Sequence, residues 1–264
     1  MFVHLKIFGF MILKTTYISL LILLAVSIDA QVNTEKYRTP SDLQGLAGYF
    51  ELSGTVKTGN VDKTEAGFEG RLDWHVGEAL TFFVFESDYE WVDGSRSSNE
   101  GLIHVRHVQS LSNKLRAEAF AQANYDKKIL IDNRELIGTG LRYTLFTFSN
   151  SDVTLGSAYM FEHENYDLTA DARHAAETKV SRWSNYLTYH IRINEIVRIG
   201  GVVYYQPMFS EFSDYRLLYE NNLSVKLTDT FSLSVNFKYR HDSIPPDGIN
   251  STDTKTEFGL AVTF

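Results

Sequence analysis

Cysteine is absent from the chain. Without a thiol there is no disulfide framework, no thiolate metal or redox centre, and no lipid carried on an N-terminal cysteine. Proline is scarce, with 4 residues among 264, and the chain is 44% apolar, which together exclude a disordered polypeptide. Beyond residue 30 no stretch approaches the roughly 18 to 20 apolar residues that a spanning helix needs. Basic charge is also in deficit, 25 Lys and Arg against 33 Asp and Glu. Such an acidic chain is a poor nucleic-acid binder.

The N-terminus is different in kind. Lys6 and Lys14 precede an apolar run from Tyr17 to Ile28, followed by Asp29, Ala30 and Gln31. This order of charge, apolar stretch and small residue is that of a secretory signal peptide, with cleavage expected after Ala30. An uncleaved anchor is the alternative, and the run is short for one. Met11 would itself start a compact signal, so Met1 and Met11 are both candidate start positions. Residues 31–46 then form a polar stub expected on the periplasmic side. Export without thiols suits the periplasm or outer membrane of a Gram-negative bacterium.

From residue 47 onward the dominant pattern is alternation. In 231–242, FSLSVNFKYRHD, the residues Phe231, Leu233, Val235, Phe237 and Tyr239 fall on one beat, and Ser232, Ser234, Asn236, Lys238, Arg240 and Asp242 on the other. Successive side chains on a strand point to opposite faces. Similar segments separated by turn chemistry give about twelve strands. They are expected near 47–58, 64–76, 80–92, 99–110, 114–126, 134–146, 153–163, 178–192, 196–206, 213–227, 230–242 and 253–264. Residues 80–85 and 196–206 are weak signals because both beats are apolar, and the alanines of 117–123 could pass for helix in isolation. Counting back from the C-terminus, longer links (243–252, 207–212, 164–177, 127–133, 93–98, 59–63) alternate with tight ones, 147–152 being intermediate.

A soluble sheet would need a second layer over its apolar face. No helix is available for that, although a β-sandwich would supply one. In the clearest strands, however, the charged residues almost all keep to one beat. The apolar beat carries aromatics near strand ends: Trp74 and Phe231 at one rim, and Tyr89, Trp91, Tyr159, Phe161, Trp183, Tyr215 and Tyr239 at the other. Two aromatic girdles and alternating loop lengths mark a lipid-facing wall. The expected fold is therefore all-β, an antiparallel up-and-down transmembrane β-barrel of about twelve strands over 47–264, in the cell outer membrane. Outer-membrane lipid and the barrel-assembly machinery are the expected partners, nucleic acid is not one, and any solute or protein partner is left open.

Several stretches resemble one family. Ser53, Gly54 and the run Thr58, Gly59, Asn60, Val61, Asp62 look like its N-terminal turn; Arg134 with Gly138 and Gly140 looks like its central strand. YYQP at 204–207, DYRL at 214–217, LTDTFSL at 227–233, DSIPPDG at 242–248 and the terminal Phe264 look like its C-terminal half. The family is domain of unknown function 481, whose members are also described as salt-induced outer-membrane proteins. His241 departs from the tyrosine more frequent there. The resemblance implies an outer-membrane barrel and implies no activity. Phe264, on one beat with Phe258, Leu260 and Val262, further resembles the terminal strand signal read by barrel-assembly machinery.

Enzyme chemistry finds little support in these residues. His241, Asp242 and Ser243 are adjacent, but on a strand His241 and Asp242 point to opposite faces. His104 and His107 are likewise an odd step apart, and the acids and His174 of the 164–177 loop lack the spacing of a known metal site. No metal and no cofactor is expected. The remaining candidates are charges of the inward beat, with Glu86, Asp88, Arg134, Arg142, Arg216, Glu220, Lys238 and Arg240 as lumen-lining residues. Acids crowd the second and third strands and arginines mark the fourth to sixth and the eighth, so acid and base are expected on different parts of the wall. They either pair and plug the lumen or line a narrow path for ions and small polar solutes. The alternative is a structural or surface module anchored by the barrel, whose loops bind a partner.

Overall fold

The computed structural model describes residues 44–59, 62–148, 151–228 and 231–262. The expected signal peptide and Phe264 lie outside them. The twelve strands pair in strict chain order, each antiparallel to the next. They are β1 (Gly45–Lys57), β2 (Lys63–Val76), β3 (Ala79–Val92), β4 (Ser95–Ser110), β5 (Leu115–Asp126), β6 (Ile131–Phe148), β7 (Ser151–Tyr166), β8 (Glu177–Arg192), β9 (Val197–Pro207), β10 (Tyr215–Lys226), β11 (Phe231–Asp242) and β12 (Thr252–Val262). The chain thus forms the all-β, up-and-down barrel architecture expected. Among the described residues no ladder joins β12 back to β1.

One expected link is wrong. In place of a long loop over 93–98, β3 and β4 meet across Asp93 and Gly94, whose φ angles of 50° and 78° are those of a tight hairpin turn. Asp-Gly is the strongest short hairpin signal, because both central residues need positive φ. Strand β4 therefore starts four residues earlier than expected, and a bulge at Glu90/Trp91 absorbs the register. The other links of that rim are longer, and the 127–133 link contains a short 3-10 turn, Lys127–Ile129.

The two beats separate as the alternation requires. On one, Ile103, Ile137 and Phe258 are 65%, 62% and 69% exposed, apolar side chains facing outward. On the other, residues such as Asp73, Glu162, Thr188, Val202 and Leu218 are completely buried. The inner beat is not purely polar. Phe82, Val84, Leu102 and Val108 form one interior cluster, Phe120, Leu136, Ala158 and Met160 a second, and Tyr186, Val202, Tyr204 and Leu218 a third. These clusters explain the two segments with no clear phase. In 80–85 and 196–206 both faces are apolar, one toward the interior and one outward.

Glycines on the inner beat make room for the rings. A Cβ on Gly138 would stand 2.3 Å from Cζ of Phe120, and one on Gly156 2.0 Å from Cζ of Tyr186. Both distances are far below contact, so each glycine is the space its neighbour's ring occupies. Outside, the aromatics gather at the long-loop end. Tyr89 stacks on Trp91 with centroids 5.8 Å apart, and Phe209 packs against both Tyr159 and Trp183 at 5.7 and 6.4 Å.

Candidate functional site: a charged barrel interior

Strand β7 places Glu162, Glu164 and Tyr166 two apart on the inner beat, at its long-loop end. Arg134 sits opposite Glu164 in the β6–β7 register, Arg182 enters from β8 and Arg216 from β10. Glu162, fully buried, is the hub. Its Oε2 accepts from Arg134 Nε at 2.9 Å and from Arg134 Nη2, and its Oε1 accepts from Arg182 Nε at 2.9 Å and Arg216 Nη1 at 2.7 Å. Glu164 takes a two-pronged contact from Arg216, at 2.8 and 2.9 Å, and a hydroxyl from Tyr166 at 2.7 Å. Arg182 continues to Asp214 at 2.8 Å, and Arg216 Nε to Asp242 at 2.9 Å. The fork of a guanidinium suits such bridging, since each plane presents several fixed donors to carboxylates.

A lid lies over this network. Residues 243–251, which link β11 to β12, fold inward so that Ile249, like Leu168, packs against the cluster of Ile129, Ile131 and Tyr166. Asp247 Oδ2 accepts the backbone N–H of both Arg173 and His174 at 2.7 Å, tying the lid to the 167–176 loop. The His174 N–H above all, helped by that of Arg173, holds the Asp247 carboxyl below its ordinary range against the opposing effect of desolvation.

Toward the short turns a second cluster crosses the interior. Glu118 Oε2 accepts from Tyr186 Oη at 2.8 Å and from Arg106 Nη1 at 3.3 Å. The Arg106 guanidinium lies 4.8 Å from the Phe120 ring centre, and that of Arg71, paired with Asp73 at 2.8 Å, lies 4.0 Å over Phe82. Between the two clusters is a chamber of ≈ 410 Å³ of empty space, open solvent included, lined by His104, Arg106, Gln122, Ser184 and Gln206 with Tyr204 and Met160.

The lumen-lining candidates fall into two groups. Arg134, Arg142, Arg216 and Arg240 are buried, at 2%, 3%, 6% and 7% exposure. Arg240 reaches Asp253 at 3.1 Å. By contrast Glu86 is half-buried, Asp88 exposed, and Glu220 and Lys238, paired at 3.2 Å, keep 15% and 20% of their side chains in contact with water. The expected separation of acid and base around the wall gives way to local pairing. Glu118 and Tyr166 lie outside the candidate set; the step-of-two run Glu162, Glu164, Tyr166 was the signal available for the second. His241, Asp242 and Ser243 do not converge: His241 meets Thr252, Asp242 meets Arg216, and Ser243 accepts from the Tyr215 N–H. His104 is buried inside and His107 is exposed outside against Thr81.

These features define an antiparallel up-and-down barrel with an ion-paired interior and an apolar outer face. The chain belongs to the family described as protein of unknown function DUF481, whose model matches residues 50–264. No curated protein matches it. Solved structures of similar outline include a NanC porin, 10% identical, covering 83% of this chain and 98% of that one with a TM-score of 0.46. The translocator domain of the autotransporter NalP from Neisseria meningitidis is 10% identical, covering 83% and 87%, TM-score 0.42. A KdgM porin in complex with disordered oligogalacturonate is 13% identical, covering 83% and 99%, TM-score 0.40.

Proposed function

We propose that the chain is a non-enzymatic outer-membrane β-barrel that passes ions or small polar solutes along a narrow, charge-lined path. Membrane placement is supported by the apolar outer beat, too extensive for a soluble surface, and by outward aromatics at both rims. The short-turn rim faces the periplasm. The path is carried by one contrast within the inner beat. The arginines are packed away from water, whereas Glu86, Asp88 and the Glu220–Lys238 pair stay in contact with it. Ions follow the wetted wall, because a dehydrated ion pair offers no free charge to replace a hydration shell.

The test is ion conductance of the purified protein in planar bilayers. Small, discrete current steps are expected; wide, unselective steps or none at all would remove the reading. A second reading, a surface module anchored by the barrel, is favoured by the ordered lid, since Asp247 and Ile249 join three long-rim segments into one platform. A non-conducting barrel would leave that reading standing.

A further inference from the structure

Two cross-strand pairs on the inner beat set arginine against arginine. Arg116 faces Arg142 in the β5–β6 register, and Arg192 faces Arg198 in β8–β9. Directly opposed like charges are unfavourable. Both pairs lie at the short-turn end. Arg192 and Arg198 are exposed there, and no side-chain partner is described for either.

The rest of the inner beat follows the same division along the barrel axis. At the short-turn end Arg71, Arg106, Arg116, Arg142, Arg192 and Arg198 outnumber the acids Asp73, Glu118 and Asp152. At the long-loop end the acids Glu65, Glu86, Asp88, Glu90, Glu100, Glu162, Glu164, Asp214, Glu220, Asp242 and Asp253 outnumber Lys57, Lys63, Lys238, Lys255 and the arginines 134, 182, 216 and 240. The two mouths therefore differ in sign. Each strand enters one region and leaves the other, so the polarity is axial and no strand order could cancel it.

We infer that the interior acts as an ion rectifier, with a cation-collecting mouth at the long loops and an anion-collecting mouth at the short turns; the inference rests on the conducting reading above. A passage lined by one sign of charge concentrates counter-ions. When the long-loop side is made positive, cations driven from the acidic mouth and anions driven from the basic mouth both move toward the middle, the path fills with ions, and current is high. With the opposite polarity both kinds are drawn outward, the middle is depleted, and current falls. The effect needs a Debye length comparable with the passage, about 10 Å at 0.1 M salt and about 3 Å at 1 M.

The experiment uses single channels of the full barrel in KCl, with orientation read from a unique thiol. Asp171→Cys, on an exposed loop of a chain without cysteine, reports its side by reaction with an impermeant reagent. Current with the long-loop side positive should exceed the reverse current roughly twofold at about 0.1 M, and the ratio should approach unity at about 1 M. Arg192→Glu combined with Arg198→Glu should bring the low-salt ratio close to unity while single-channel steps persist. Symmetric currents in a conducting wild type, or rectification unchanged in the double variant, overturn the inference and leave the pore intact. Absence of any channel overturns the pore reading and this inference with it.

Discussion

The Tyr186 hydroxyl donates to Glu118 across 68 positions of sequence, at 2.8 Å, inside the barrel. The bond joins β8 to β5 over the heads of β6 and β7, so the wall between them must curl. Gly156 on β7 is what lets the ring lie flat against that wall.

Gly156→Ala should therefore displace the Tyr186 ring and cost about 1–3 kcal/mol through overpacking. Tyr186→Phe should cost a similar amount, about 1–3 kcal/mol, by leaving a buried carboxylate short of one donor. In the double variant the two costs should sum to less than their separate values, because each disrupts the same contact. Denaturant unfolding of the three variants measures this, and strict additivity would mean that the ring and the carboxylate are not coupled.

Much of this was legible from the strands outward. Alternation places Glu86, Arg134 and Lys238 on one beat and Trp74, Tyr159 and Trp183 on the other, and the structure keeps both assignments. Period-two sequence reports which face a side chain takes, because neighbouring residues must point opposite ways. It says nothing of which inner residues meet across the interior. Glu118 and Tyr186, or Arg216 and Glu162, come together through curvature and stagger, which are properties of the whole wall. The Asp93-Gly94 dipeptide is a legible hairpin signal, and the alternation of loop lengths points against it. The interior apolar clusters were hidden because an inner face with Phe82 and Val84 erases the contrast on which the pattern depends.

Arg216 connects Glu162, Glu164 and Asp242. Arg216→Ala leaves three carboxylates facing one another with a buried donor removed. Breaking a buried pair from one side typically costs about 3–5 kcal/mol. Arg216→Lys should recover only part of this loss, since one ammonium cannot reproduce a fork shared among three acids. Lys238→Ala, at a wetted pair, should change stability by less than about 1 kcal/mol. Equal unfolding midpoints for Arg216→Ala and Lys238→Ala would show that the buried network does not hold the barrel.

The lid contact should depend on pH with a definite sign. Asp247 has its folded value lowered by the N–H groups of His174 and Arg173, so the contact is complete above the ordinary aspartate range, near pH 4, and is lost as pH falls through the lower folded value. Protection of the Arg173 and His174 amides from hydrogen exchange, measured against their intrinsic rates, should fall in acid below that range. Asp247→Asn should weaken the same protection at neutral pH. Trypsin should then cut after Arg173, whose side chain is 95% exposed, faster than in the wild type. Cleavage at the wild-type rate would show that Asp247 does not fasten the lid.

Ion preference provides the sharpest separation of the wetted wall from the packed one. Glu86 and Asp88 share the inner beat of β3 with Phe82 and Val84, but they lie farther toward the long-loop end, beyond the first apolar cluster. Their charges meet water, so at about 0.1 M salt, with a Debye length of about 10 Å, they act on ions throughout a narrow path. Glu86→Gln with Asp88→Asn should shift the reversal potential in a KCl gradient toward anions while leaving stability near that of the wild type. Arg134→Ala with Arg142→Ala should instead lower stability, because these side chains are buried at 2% and 3% exposure, and should reduce the yield of folded barrel before any change in preference is seen. A reversal potential unmoved by the acid variant but moved by the arginine variant would place the ions on the arginine side, and the assignment of the path to the Glu86 and Asp88 wall would have to be given up.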